Sequence, residues 1–135
     1  MKWLTKELIL SMHAQLLEET GGNAGLRDEA LLDSALNAPL QAFDGIELFP
    51  TIAEKAVRLA FGLCANHAFV DGNKRLGAMA LLIALQINQC PLRPLPEGEL
   101  SEMFLKVADG SADYDELLRW TRERLDSTTD HDQTF

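Results

Sequence analysis

The densest group of reactive side chains in this sequence is the nine-residue run His67-Ala68-Phe69-Val70-Asp71-Gly72-Asn73-Lys74-Arg75. It combines an imidazole, a carboxylate, an amide, a flexible glycine and two cations, and helix-like sequence flanks it on both sides. We therefore predict a tight turn leading into a helix, where unpaired backbone N–H groups and the helix dipole attract anions. An imidazole beside such a site indicates proton abstraction coupled to phosphoryl or nucleotidyl transfer.

The charged and titratable groups of the run have separate predicted roles. His67 is predicted to be the general base that takes the proton of a hydroxyl nucleophile. Asp71 is predicted to hold Mg²⁺ against phosphate oxygens, with capping of the following helix as the alternative. Lys74 and Arg75 fall in the first helical turn, where cations are unfavourable against the dipole unless an anion lies among them.

The remaining residues of the run are predicted to shape it. Gly72 allows positive φ or a close approach of the backbone to a ligand. Asn73 either fixes the turn internally or donates its amide to phosphate, and Phe69 is predicted to point into the core. A metal-only site of His67 and Asp71 is a weaker alternative, because a zinc site would need further ligands. His13 is predicted to be a surface or half-buried residue.

Composition indicates one acidic globular domain. The 135 residues carry a net charge of −9, whereas nucleic-acid-binding proteins usually present a basic face, so nucleic acid is not an expected partner. The N-terminus has no signal-peptide pattern and the apolar run 76–87 is too short to span a bilayer, so we expect a cytoplasmic protein without a membrane partner. Cys64 and Cys90 are predicted to be buried, reduced thiols.

Helical periodicity in nearly every long segment predicts an all-α fold of about six helices. The predicted helices cover residues 5–20, 29–37, 51–66, 73–88, 97–109 and 113–125, with Asp28 as a predicted N-cap and capping boxes predicted at residues 51–54 and 113–116. Residues 40–49 are either a small hairpin, since Asp44-Gly45 lies between short apolar runs, or an irregular loop packed down by Phe43 and Phe49. Residues 1–125 are predicted to form a single domain, and residues 126–135 a polar, flexible tail.

The run resembles the signature of the Fic/Doc family, His-x-Phe-x-Asp/Glu-Gly/Ala-Asn-Gly/Lys-Arg, at His67, Phe69, Asp71, Gly72, Asn73, Lys74 and Arg75. Residues 25–28 and 31–36 resemble the N-terminal part of the death-on-curing (Doc) branch of that family. The resemblance covers about residues 3–125. It implies a compact Fic-fold helical bundle with a small flap, at residues 40–49, before the central helices.

The branch of the family determines the implied reaction. Members that transfer AMP usually have Gly after the motif Asn and a second Arg after Arg-x-x, whereas this chain has Lys74 and Ala78. Lys at the first position is characteristic of the Doc branch. The resemblance therefore implies the toxin of a type II toxin–antitoxin module, a protein kinase that moves the γ-phosphate of ATP to a hydroxyl of translation elongation factor Tu. An AMP transferase and a non-catalytic binding module on the same fold are the alternatives.

Roles carried over from the family agree with those predicted from the residues. His67 would be the catalytic base, Asp71 the Mg²⁺ ligand, and phosphate would be bound by Gly72, Asn73, Lys74 and Arg75.

The resemblance also implies regulation by another chain. Many Fic proteins carry an inhibitory helix with Ser/Thr-x-x-x-Glu, but no glutamate of this sequence has Ser or Thr four residues before it. A Phd-like antitoxin is therefore implied, whose disordered C-terminal segment folds into an apolar groove. Helix faces such as that of Leu8, Met12 and Leu16 would build the groove.

Overall fold

The computed structural model describes residues 1–126, which form six α-helices and one short hairpin. The helices are α1 (Lys6–Thr20), α2 (Glu29–Asn37), α3 (Ile52–Ala65), α4 (Asn73–Ile87), α5 (Glu99–Asp109) and α6 (Tyr114–Glu123). A 3₁₀ turn, Ala38–Leu40, follows α2, and the antiparallel strands β1 (Ala42–Phe43) and β2 (Ile46–Glu47) precede α3. The predicted all-α fold of about six helices with a small flap is confirmed.

Polar side chains cap the N-termini of three helices at the positions that the sequence predicts. Asp28 accepts a hydrogen bond from the backbone of the first turn of α2. Thr51 with Glu54, and Asp113 with Glu116, form complete capping boxes at the starts of α3 and α6. Each cap satisfies N–H groups that a helix cannot pair internally, so these starts are fixed locally.

The core is centred on α3 and α4. Both helices contribute fully buried leucines to a single apolar cluster: Leu59 and Leu63 from α3, and Leu76, Leu81 and Leu85 from α4. Burying a leucine side chain contributes about 1.5–3 kcal/mol, and a helix that is apolar nearly all round is stable only when other helices cover it. The remaining helices pack around this pair and hold the connection between α3 and α4 in place.

Two helix ends differ from the predicted bounds by two residues, and the other ends differ by at most one. The fifth helix begins at Glu99 and not at residue 97, because Gly98 has a left-handed conformation with φ of 85°. The sixth ends at Glu123, because Leu125 leaves the helix and forms an isolated bridge with Leu92. Of the predicted tail, only Asp126 lies within the described residues, and its N–H donates to the carbonyl of Pro91 at 2.9 Å.

Residues 40–49 contain a hairpin, which was one of the two predicted alternatives. Phe43 pairs with Ile46, and the intervening Asp44 and Gly45 both have positive φ, 53° and 78°. That backbone conformation matches the twist of a two-residue hairpin, and the sequence Asp-Gly favours it. Phe43 is 77 % exposed, so it does not pack down as the loop alternative required.

Neither cysteine takes part in a disulfide, as predicted. Cys64 and Cys90 are free and buried, and burial raises the pKa of each thiol to about 11. They are therefore protonated and unreactive at neutral pH.

Candidate functional site

Residues 67–72, which we call the His67 turn, connect the end of α3 to the start of α4. All the residues predicted to do chemistry lie in this turn or in the first turn of α4: His67, Asp71, Gly72, Asn73, Lys74 and Arg75. Their surroundings differ, and the differences separate groups that face solvent from groups that hold the turn.

His67 is exposed and has a left-handed backbone, with φ of 53°. Such a conformation costs a non-glycine residue about 1–2 kcal/mol, and it persists where surrounding contacts hold it. Its carbonyl accepts hydrogen bonds from Nε of Arg27, at 2.9 Å, and from Nη2 of the same guanidinium. Its imidazole has no hydrogen-bond partner within residues 1–126, so its ring nitrogens are available to a ligand.

The loop that precedes α2, residues 22–28, lies along the His67 turn, and we call it the supporting loop. Leu26 and Phe69 form an antiparallel bridge, and the N–H of Val70 donates to the carbonyl of Gly25 at 3.0 Å. The carbonyl of Ala68 accepts from the N–H groups of Arg27 and Asp28, at 2.7 and 2.9 Å. The backbone of the turn is therefore paired much as a strand would be, although it is a connection between helices.

His13, on α1, supports the turn from inside the protein. It is 1 % exposed, stacks on Phe69 with ring centroids 3.7 Å apart, and its Nε2 lies 2.7 Å from the carbonyl oxygen of Asp71. Because a carbonyl only accepts, Nε2 carries the proton and donates it. The prediction that His13 is a surface or half-buried residue was wrong. Ile9 and Leu17, four residues to either side of it, are both buried, and that spacing marks the inner face of a helix.

The carboxylate of Asp71 is turned toward the supporting loop. Its Oδ2 accepts from the backbone N–H of Asn23 at 2.8 Å. The alternative that Asp71 caps α4 is wrong, since Gly72 is the N-cap residue and no side chain caps this helix. The second carboxylate oxygen has no protein partner among the residues that the structure describes, so it is available to a cation.

Asn73 closes the turn on itself. Its side chain is buried, its Oδ1 accepts from the N–H of Phe69 at 3.1 Å, and its Nδ2 donates to the Phe69 carbonyl at 2.9 Å. Of the two predicted roles for Asn73, this arrangement is the internal one. A contact between Asn73 and phosphate stays a prediction.

Lys74 and Arg75 lie at the uncapped N-terminus of α4 and at one end of an apolar groove of about 370 Å³. Lys74 is half-buried, and its positive charge partly offsets the rise in the pKa of the Cys64 thiol that burial causes. Arg75 is exposed. The groove is formed by α1, α4 and α5, with walls that include Leu16, Met79, Leu82, Leu100 and Phe104. Of the three residues predicted to build a groove, Leu16 lines this one, whereas Met12 belongs to the core and Leu8 is exposed outside the groove.

A family model described as the Fic/DOC family matches residues 3–85, which include the supporting loop and the whole His67 turn. The chain belongs to the Fic/DOC family. It is also similar to a protein named Toxin Doc from Mycolicibacterium smegmatis (strain ATCC 700084 / mc(2)155), with 35 % identity over 98 residues. That similarity covers 72 % of this chain and 75 % of the relative. The resemblance predicted from the signature is therefore confirmed.

The donor set of this Fic/DOC site fits a cation shared with a substrate. No three His, Cys, Asp or Glu side chains within residues 1–126 are grouped so that they could hold a metal between them. Mg²⁺ is commonly held by one or two carboxylates together with substrate phosphates, and the exposed residue Asp71 offers one carboxylate oxygen without a hydrogen-bond partner among the described residues. A zinc site of His67 and Asp71 finds no third ligand there.

The Fic/DOC signature does not include His13 or Arg27, although the geometry of the His67 turn depends on both. Helical spacing on α1 could have indicated His13. Arg27 lies 40 residues before His67 in a loop, and no local pattern connects the two. No helix in the described part of the chain is long and apolar enough to cross a membrane.

Proposed function

We propose that this chain is a cytoplasmic toxin of the Doc branch that transfers the γ-phosphate of ATP to a hydroxyl of translation elongation factor Tu. The observation that carries the proposal is the exposed imidazole of His67 beside the uncapped N-terminus of α4, with Lys74 and Arg75 in its first turn. A base and an anion site are thereby adjacent on one connection. The relative named Toxin Doc supports the toxin assignment.

The anion site is supported by its backbone as well as by its cations. Gly72 has φ of 84° and supplies no side-chain oxygen, so the first N–H groups of α4 lack a side-chain partner. These groups and the helix dipole favour negative charge, and the two cations add to the same field. In a chain of net charge −9, this local excess of positive charge is what a polyphosphate needs.

The residues have complementary parts in the proposed reaction. His67 accepts the proton of the target hydroxyl as its oxygen attacks the γ-phosphorus, and the bond to the β-phosphate oxygen breaks to release ADP. Lys74 and Arg75 hold the phosphates in line and offset the charge of the transferred group. Asp71 would hold Mg²⁺, which when bound neutralises phosphate charge.

The choice of phosphate transfer over AMP transfer rests on position 74. The half-buried Lys74 occupies the place where members that transfer AMP usually have glycine. A long cation there favours the terminal phosphates and crowds a nucleotide whose α-phosphate would lie at the helix N-terminus. Ala78 stands where those members have a second arginine, which weakens AMP transfer further.

A Phd-like antitoxin is the partner we propose for the apolar groove. The groove walls are mostly apolar, and Lys74 and Arg75 lie at its end. A segment that folds there would bury apolar side chains against Met79, Leu82 and Leu100, the groove leucines and methionine that keep exposed surface. Because the groove and the anion site share Lys74 and Arg75, such a segment would also restrict access to the site.

The test is intact-mass spectrometry of elongation factor Tu after incubation with the purified protein, Mg²⁺ and ATP, alongside a His67→Ala control. We expect the target to gain the mass of one phosphate and the gain to disappear with His67→Ala. A gain of one AMP would overturn the kinase assignment in favour of the AMP transferase. No gain on this target, repeated on a cell lysate with labelled ATP, would favour the non-catalytic binding module.

A further inference from the structure

We infer that Arg27 is a positioning residue that holds the backbone of His67 and so directs its imidazole. This inference rests on the function proposed above, in which His67 is the base. Arg27 lies outside the signature, and within residues 1–126 its side chain donates hydrogen bonds only to the carbonyl of His67. Its influence would act through His67.

The contact between the two residues is made by two donors on one acceptor. Nε and Nη2 of Arg27 both donate to the carbonyl oxygen of His67. The guanidinium is planar and its donors are fixed relative to each other, so two bonds that converge on one oxygen hold that oxygen in a defined place relative to the guanidinium. Among the described residues, no other group donates to this carbonyl.

The backbone conformation of His67 indicates what that contact stabilises. With φ of 53°, His67 is held in a region that a residue with a side chain leaves when it is free to relax. The supporting loop pairs with Ala68 and Val70, and α1 holds Asp71, but these ties all act beyond His67 along the chain. If the Arg27 contact is lost, rotation at His67 moves the imidazole while the rest of the turn stays in place.

An ion pair does not explain the placement of Arg27. Within residues 1–126, its guanidinium has no carboxylate within bonding distance, although the chain is acidic overall. Arg27 is exposed, so its contact with a carbonyl is not required by burial either. The remaining reason for the contact is the conformation that it imposes on His67.

The experiment compares Arg27→Met, which keeps the length of the side chain but removes its donors, with Arg27→Lys, which keeps one cationic donor. Arg119→Met removes the same charge from the exposed surface of α6 and is the matched control. Each variant is assayed for kcat and for the KM of ATP and of elongation factor Tu. Spectra of ¹⁵N-histidine-labelled protein report the amide and ring of His67, with the ring of buried His13 as a check on folding.

For Arg27→Met we expect kcat to fall about tenfold or more, since small misplacements of a catalytic group have such effects, while the KM of ATP stays the same. Arg27→Lys should recover part of kcat, and Arg119→Met should match the wild type. The His67 signals should shift or broaden in Arg27→Met while those of His13 stay unchanged.

Unchanged His67 signals in Arg27→Met would overturn the inference, as would a wild-type kcat. So would an equal loss of kcat in Arg119→Met. If the wild type itself transfers no phosphate, the proposed function fails, and the His67 signals still decide whether Arg27 holds this residue. If Arg27→Met does not fold, Arg27→Gln takes its place. The same kinetic and spectroscopic measurements then compare Arg27→Gln, which keeps an uncharged donor, with Arg27→Lys.

Discussion

The two connections that flank α3 are built in opposite ways. The His67 turn, at the end of α3, is paired with the supporting loop and packed on α1, with Ala68 2 % and Phe69 3 % exposed. The hairpin before α3 exposes Phe43 and Ile46 at 77 % and 70 %. Its base is held by Lys55, whose ammonium contacts Glu47, at 2.8 Å, and the carbonyl of Phe49.

The two connections correspond to two different tasks in the proposed function. A base and an anion site must be held within fractions of an ångström, so the His67 turn is fixed on several sides. A surface that meets a folded target gains from apolar side chains that are not already packed, and the hairpin keeps them exposed. The helix between them separates their attachment points by about 20 Å.

The largest expected effect comes from replacing glycine by alanine in both connections. Gly72 has φ of 84°, and a Cβ there would lie 2.5 Å from Cδ2 of Leu17, whereas a Cβ at Gly45, with φ of 78°, would meet nothing within 4 Å. We expect Gly45→Ala to lower the free energy of unfolding by about 1 kcal/mol and Gly72→Ala by about 3 kcal/mol, because the clash adds to the backbone strain. Urea unfolding measures both, and equal losses would contradict the comparison.

The next effect is expected beneath the turn, at His13. His13→Phe keeps a ring to stack on Phe69 but leaves the Asp71 carbonyl without its donor, which should lower the free energy of unfolding by about 1–3 kcal/mol. His13→Gln keeps a donor of similar reach and should lose less stability. Thermal and urea unfolding distinguish the two. If His13→Phe were more stable than His13→Gln, ring stacking and not the hydrogen bond would support the turn.

A smaller effect on stability is expected for Lys55→Met. Glu47 is half-exposed, so water can solvate it after the change, and we expect a loss of about 1 kcal/mol in the free energy of unfolding. The hairpin should move more freely, so amide hydrogen exchange in residues 42–47 should speed up and the KM for the target should rise. Glu47→Gln, which leaves the Lys55 contact with Phe49, is the milder control. Unchanged exchange would show that Lys55 does not hold the hairpin.

The smallest change in stability is expected when Phe43 and Ile46 are both replaced by serine. Their side chains are mostly exposed, so the free energy of unfolding should change by about 0.5 kcal/mol or less. If the hairpin meets the target, the KM for elongation factor Tu should rise while that for ATP stays constant. A constant KM for the target would show that these two side chains do not contact it.

The sequence predicted the parts of the molecule whose causes are local. Asp28, Thr51 and Asp113 marked helix starts because a cap acts within three residues, and Asp44-Gly45 indicated a hairpin because its turn needs positive φ. The signature located the site but not what holds it. Arg27 was missed because its contact with His67 exists only after α2 and α3 have packed together.

The contacts that shape the His67 turn join residues far apart in the chain. Asp71 meets His13 across 58 positions and Asn23 across 48, and His67 meets Arg27 across 40. The loop-closure entropy must be overcome before contacts between such distant residues become stabilising, so the turn acquires its shape only when α1, the supporting loop and the central helices have assembled. During refolding, helical content should therefore return before enzymatic competence does, and a partly folded chain would carry the full signature without its activity.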